Sequence, residues 1–363
     1  MSVWIVGAGV AGLACASVLH RAGVEVGVLE ASAAAGGRVR SATGTDGAHL
    51  GDLGPSWVWP IHQPALAGWL DRLGVRTMPQ YESGDGCVER GAGRRPERTV
   101  LPGQHGQRRP VGGPGAIVRA LLGSMPAGTV RTGCRVTSIA RGADRSRIVT
   151  DDGVEREAET VVLATPLRIA VRDIVFDPPL PSPVARTCEN AATWMASQAK
   201  ALAVYDTPFW RADGLSGRIS SAIGPLVECH DHSGDGGEPA ALVGFVGLDA
   251  PTRRRVSAER GEAALGEAVL EQLVRCFGAR AREPLLLRIE DWARDPHIAT
   301  PLDVERPGGH PGVQPDSLRA PLHDGGLRLA VAEGAEISPG LLEGAFVAGE
   351  RAARQVLAAV RPA

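Results

Sequence analysis

Gly7-Ala8-Gly9-Val10-Ala11-Gly12, with Glu30 18 residues beyond the last glycine, is the stretch whose residue types and spacing define a chemistry most narrowly. Gly7 permits a tight turn, and Gly9 lacks the Cβ that would keep a pyrophosphate off the backbone. Gly12 lets the next helix pack close to the preceding strand. N–H groups at that helix start, around Ala11, turn partial positive charge toward the phosphates. Glu30 is spaced to accept hydrogen bonds from adenosine ribose hydroxyls, and its carboxylate disfavours a 2′-phosphate. Such a dinucleotide site needs a strand before the glycines and a helix opening within them. Val3-Trp4-Ile5-Val6 is a short apolar run, and an alanine-rich apolar stretch extends to Ala22-Gly23. A second strand, Val24 to Leu29, ends at Glu30.

Lys200 is the second candidate. It begins an otherwise apolar run to Tyr205, ten residues before Trp210. A cation inside such a strand is costly unless it is solvated or used; a snorkelling lysine is the plainer alternative. Other chemistries find no motif: there is no HExxH, GxSxG, CxxC or Cys/His cluster. The six scattered cysteines point to free thiols and a reducing, cytoplasmic setting. A net charge of −2 gives no general pull toward nucleic acid or anionic membrane. No run reaches the ~20 apolar residues that span a bilayer. The apolar start lacks a basic n-region, so no signal peptide is expected.

These residues need positioning elements. Ala116 to Leu122 reads as a helix after Gly112-Gly113-Pro114-Gly115. Thr129 to Arg131, Cys134 to Ala140, Arg147 to Thr150 and Thr160 to Ala164 read as strands, with Asp151-Asp152-Gly153 a turn in a β-meander. Residues 82–113 read as loop or short edge strands. Lys200 to Tyr205 and Ala241 to Gly247 read as strands of one antiparallel sheet, and Glu259 to Phe277 as one helix. Gly326 to Arg361 reads as strand, loop and helix, the helix spanning Ala348 to Val360. The expected fold is α/β. A Rossmann-like nucleotide-binding domain (1–58, 112–166 and 293–363), with a parallel sheet and β-meander, joins a smaller α+β substrate domain (59–111 and 167–292) with an antiparallel sheet.

Adding Gly36-Gly37-Arg38, six residues after Glu30, the chain resembles the flavin amine oxidase superfamily, the monoamine oxidase-like family, from end to end. The resemblance implies FAD. Gly37 lets a loop fold back on the cofactor, and Arg38 contacts its phosphates. Asp52-Leu53-Gly54-Pro55-Ser56-Trp57 is similar to the family segment beside the flavin ring, which brings in Gly54 and Trp57. Val136 matches the strand whose backbone meets the adenine. Leu329 to Ala335 resembles the family's FAGTE-type strand, its acid Glu333 holding the ribityl and phosphate region. Gly340, Leu341 and Leu342 precede the last helix, whose N–H groups face the flavin. Lys200, with Pro208-Phe209-Trp210 beyond it, is similar to the lysine that holds a water against flavin N5 and promotes reaction with oxygen. Trp292 matches the tryptophan packed beside the flavin. Lys200 and Trp292 are thus the candidate catalytic residues.

The chain also departs from the family. The two aromatic positions that flank an amine match Leu302 and Leu341, both aliphatic. The position of the cysteine that bonds flavin in some members matches Pro301, so FAD is expected to be noncovalent. The chain is shorter than most relatives, chiefly around 60–111, which leaves an open site or one closed by a second subunit of a homodimer. The implied reaction passes hydride from a C–N or C–C bond of a small molecule to flavin N5, with O2 as acceptor. A renalase-like oxidase of reduced nicotinamides, a desaturase or isomerase of the superfamily, and a non-catalytic flavoprotein are the alternatives.

Overall fold

The computed structural model describes residues 2–360. Ser2–Val6 lies between Glu25–Leu29 and Thr160–Leu163, parallel to both. Leu327–Leu329 and Val130–Arg131 complete a five-stranded parallel sheet. All four residues of Thr160–Leu163 are buried, as expected where both faces of a parallel sheet are covered. One face carries the helices Val10–Arg21 and Leu342–Val360, whose Leu13, Ala14, Phe346 and Val356 share a core with Val3 and Ile5. The other face carries the meander Val136–Arg141, Ser146–Thr150 and Glu155–Ala158, joined in parallel by Val175–Asp177. Its Ile139 and Ile148 pack on Leu29 and Leu163.

A second sheet has seven strands, in the order Leu286–Asp291, Ala199–Tyr205, Ala240–Val246, Leu226–Asp231, Leu215–Ser221, Asp85–Glu89 and Glu97–Thr99. It is antiparallel apart from the parallel pair Leu215–Ser221 and Asp85–Glu89. Side chains alternate across a strand. Ala199, Ala201, Ala203 and Tyr205 enter a core with the helix Ala264–Phe277. Leu202 and Val204 point the other way, against Ala42 of the hairpin Ser41–Thr43/His49–Asp52 and Leu53 just beyond it. Lys200 belongs to that second face, and this register turns it toward the segment that follows the hairpin. The fold is therefore α/β, with one parallel and one mixed, mostly antiparallel sheet.

The element expectations need four corrections. Glu259 to Phe277 is not one helix: Ala250–Arg260 and Ala264–Phe277 are separated at Gly261, whose φ of 89° breaks the helical run. The last helix starts at Leu342, six residues before the expected Ala348. Asp85–Glu89 is an internal strand, with Cys87 fully buried. Its glycine and charged residues hide the apolar pattern of a buried strand. Glu155–Ala158, the third meander strand, was masked by alternating charges. Arg361 lies outside the described residues. All six cysteines are unpaired, and no described helix is long and apolar enough to cross a membrane.

Candidate active site

One cleft runs from Glu30 to Phe245 between the two sheets. At its first end the glycines take the forms their spacing predicts. Gly7 has φ 108°, and a Cβ there would lie 2.6 Å from the Ala164 carbonyl oxygen. Gly12 packs beneath the turn, where a Cβ would strike the Gly7 carbonyl, and it does not line the cleft. Gly9 faces open space with nothing within 4 Å of its Cβ position, a cradle that any side chain would fill. The helix beginning at Val10 has no side-chain cap, so its first N–H groups, Ala11 among them, are left for a ligand. Glu30 accepts from the backbone N–H of Ala8 (2.7 Å) and of Ser32 (2.8 Å), one to each oxygen. Each oxygen keeps a lone pair for a ribose hydroxyl. Val136 lines the same end.

Gly37 folds back so that its Cβ position lies 3.2 Å from Gly9 Cα. Arg38 follows it and forms a two-point ion pair with Glu333, Nη1–Oε1 2.6 Å and Nη2–Oε2 3.1 Å. Glu333 lies in a short 3₁₀ turn beyond the strand Leu327–Leu329; it is buried behind Arg38 and does not itself line the cleft. It also accepts from the Trp194 N–H (3.1 Å), while Arg38 donates to the Trp194 carbonyl (3.2 Å). The guanidinium keeps two N–H groups for an anion. Uncapped helix, open Gly9 cradle, Glu30 acceptors and Arg38 donors together fit a dinucleotide.

At the far end Lys200 Nζ donates to the Gly54 carbonyl (2.7 Å) and to Ser56 Oγ (2.8 Å). It lies 5.2 Å from the Phe245 ring centre and 5.7 Å from that of Trp57. Trp292 Nε1 donates to the Leu53 carbonyl (3.0 Å), and Arg40 stacks 4.5 Å over the Trp292 ring. Arg40 is held in turn by Glu290 and by Asp295 at 2.8 Å. A Cβ on Gly54 would run into the Arg38 carbonyl, so only glycine lets Leu53–Ser56 lie against Arg38 and Arg40. Gly340, Leu341 and Leu342 line the cleft at the start of the last helix. Burial pushes Lys200 down to about 8, opposed by the charge of Asp52.

Beneath this end lies a cluster that sequence reasoning missed. Asp52 Oδ1 accepts from Ser41 Oγ and His49 Nε2, both at 2.8 Å, and Oδ2 pairs with His232 Nε2 at 3.0 Å. Burial alone would raise the Asp52 carboxyl, but the bonds from His232 and His49 outweigh it and hold the group well below the usual range. Burial, then the nearby Arg109 cation, pushes His232 down to about 3, so it is neutral at neutral pH. Asp52 and Ser56 stand inside the segment that carries the family resemblance. The His232 partnership spans 180 residues and has no local signal. Phe245 is the cross-strand partner of Lys200, and Trp194 reaches the cleft from the loop before that strand.

Of the two aliphatic positions, Leu341 lines the cleft. Leu302 does not: the Thr300–Asp303 capping box starts the helix Pro301–Glu305 there. Aromatic walls come instead from Trp57, Phe245 and Trp194.

The sequence pattern of the family "Flavin containing amine oxidoreductase" matches residues 10–100 and 96–357. A putrescine oxidase of Kocuria rosea is 26% identical, covering 98% of this chain and 95% of that protein. A monoamine oxidase A-type protein of Dictyostelium discoideum is 28% identical over 61% of this chain; the match spans 47% of that protein, about half its length. The solved cyclohexylamine oxidase of Brevibacterium oxydans shares the fold, with TM-score 0.81 over 99% of both chains at 19% identity.

Proposed function

Because the chain belongs to the flavin containing amine oxidoreductase family, we propose that it is an FAD-dependent oxidase of a small amine. The observation that carries this reading is Lys200. It is the only lysine among 39 basic residues, and it is buried at the end of the cleft. A chain that uses arginine everywhere else keeps here a compact amine, whose charge is open to tuning by its surroundings.

FAD bound in this cleft would accept hydride from the carbon bearing nitrogen and pass both electrons to O2, so that amine and O2 become imine and H2O2. Glu30 would hold the adenosine ribose, and the helix start at Val10 with Arg38 would hold the phosphates. Leu53–Ser56, Lys200, Trp292 and Gly340–Leu342 would border the ring. Lys200 would place a cation, or a water bound to it, where the electrons leave for oxygen. Trp57, Phe245 and Trp194 would pack on the hydrocarbon part of the amine. Cysteine occurs once among the lining residues, at Cys134 beside Val136, so attachment would be noncovalent.

The test is the visible spectrum of the purified protein under anaerobic addition of amines. Bleaching of a flavin band by an amine, and its return with H2O2 on admitting air, is the expected result. Protein that takes up no FAD, or flavin bleached only by reduced nicotinamides, would overturn the reading.

A further inference from the structure

We infer that the segment Asp52–Ser56 is the charge-holding element of Lys200, Asp52 supplying a buried counter-charge and Ser56 a neutral acceptor. The inference deepens the proposed oxidase reading by naming what sets the state of its lysine. Three observations carry it. The ammonium has three N–H groups, and two are bound by Gly54 and Ser56, which lie two and four residues beyond Asp52. The third is left for the cleft that Lys200 lines. Asp52 is 1% exposed, and all its visible partners leave it ionised. Ser41 donates a hydroxyl proton and adds no charge. His232 is neutral, and its Nε2 faces both the Asp52 backbone N–H (3.2 Å) and Asp52 Oδ2 (3.0 Å), so it adjoins the carboxylate without adding a cation that would repel Lys200.

The other charges around Lys200 are committed elsewhere. Glu290, its partner on the neighbouring strand, is paired with Arg40, which also holds Asp295. Asp291 is paired with Arg253. Asp231 is bound two ways by Arg211 and also accepts from Trp210. Arg109 is a further buried cation; it feels both Asp231 and Asp52 and donates to the Ser233 carbonyl. His49, on the strand that bears Asp52, and His230, paired with Glu228 and packed on Trp57, are further titratable neighbours. Asp52 is thus a positioning residue, acting on the reaction through the charge of Lys200.

The unique lysine makes this directly measurable. Full-length protein carrying [ε-13C]lysine, with FAD added, gives one side-chain resonance to follow against pH. The wild-type midpoint is expected near the value of about 8 that burial imposes. Asp52→Asn should lower it by about one pH unit or more, because an opposing charge is lost from a poorly solvated site. Ser56→Ala should lower it by roughly half a unit through loss of one acceptor. The sign separates the inference from simple damage: a loosened site admits water and raises the midpoint toward that of free lysine. An unchanged or raised midpoint in a folded Asp52→Asn protein overturns the inference. If Asp52→Asn does not fold, Ser56→Ala decides alone, an unchanged midpoint again overturning it. The resonance is read without turnover, so a failure to oxidise amines leaves this result standing. Where the oxidase is active, the basic limb of its flavin reoxidation should move with the resonance.

Discussion

Lys200 and Arg38 show how differently two cations serve the same cleft. Arg38 is planar and always charged, and it meets Glu333 with two parallel bonds. Lys200 is a point charge in a socket that binds two of its three N–H groups. Lys200→Met should cut the rate of reaction of reduced flavin with O2 by about 10²-fold, the usual scale for removing a buried electrostatic contact. Lys200→Arg should not restore it, because a larger, planar guanidinium replaces the compact ammonium held by Gly54 and Ser56. Stopped-flow reoxidation under air checks both. At the other end, Glu30→Ala removes the acceptor of two backbone N–H groups and of the expected ribose bonds. FAD affinity should fall about 10- to 100-fold, measured by flavin release on dilution.

Among the elements, Leu53–Ser56 joins the two halves of the site. It touches Trp292 through Leu53, Lys200 through Gly54 and Ser56, and the Arg38 backbone through the bare α-carbon of Gly54. Gly54→Ala should therefore cost about 2 kcal/mol or more and reduce FAD content together, seen in chemical unfolding and in the flavin-to-protein absorbance ratio. The helix pair Val10–Arg21 and Leu342–Val360 depends on another small residue. At Gly349 a Cβ would run into the Ala11 carbonyl and lie 3.1 Å from Ala14 Cβ. That contact brings the start of the last helix, with Gly340 to Leu342, to the same cleft as the glycine turn.

For the whole molecule, the buried ionisable groups make stability depend on pH in two windows. Lys200 has a folded pKa of about 8, below its unfolded value. Between about 8 and 10.4 the unfolded chain binds the extra proton, so stability rises with pH by up to ~1.4 kcal/mol per unit. Lys200→Met lacks that rise, and its stability relative to wild type should be greatest at neutral pH and decline above pH 8. His232 and Asp52 act in acid. With folded values below their unfolded ones, they contribute stability above the unfolded pKa and lose it as pH falls. His232→Gln should flatten unfolding free energy between about pH 6.5 and the value near 3 that burial imposes. Urea unfolding across pH measures both windows.

The glycine-turn end of the cleft was legible in the sequence because most of its parts lie in one stretch of chain. Gly7 to Gly12 and Glu30 belong to one strand–helix–strand unit; Gly12 is crowded by Gly7 close in the chain, although the crowding at Gly7 comes from Ala164 beyond the neighbouring strand. Gly37 and Arg38 follow within the same stretch. The resemblance further along carried Lys200, Trp292, Glu333 and Gly340 to Leu342 as candidates, and these also meet at or just behind the cleft. The interruption at Gly261 and the early start of the last helix were obscured, because apolar spacing persists through a break and a glycine-rich stretch can still be helical. The socket of Lys200 could come only from tertiary structure. Asp52 and His232 are 180 residues apart, and Ser56 and Lys200 are 144 apart. Side-chain alternation limits a strand residue to two faces, but which face meets the hairpin, and which groups bury together beneath it, is decided by how the sheets pack. The sequence by itself determined the glycine turn, since its strand, turn, helix and second strand with Glu30 follow one another in a single stretch of chain. Packing decided the charge environment of the lysine, since burial and long-range pairing exist only once the chain has folded.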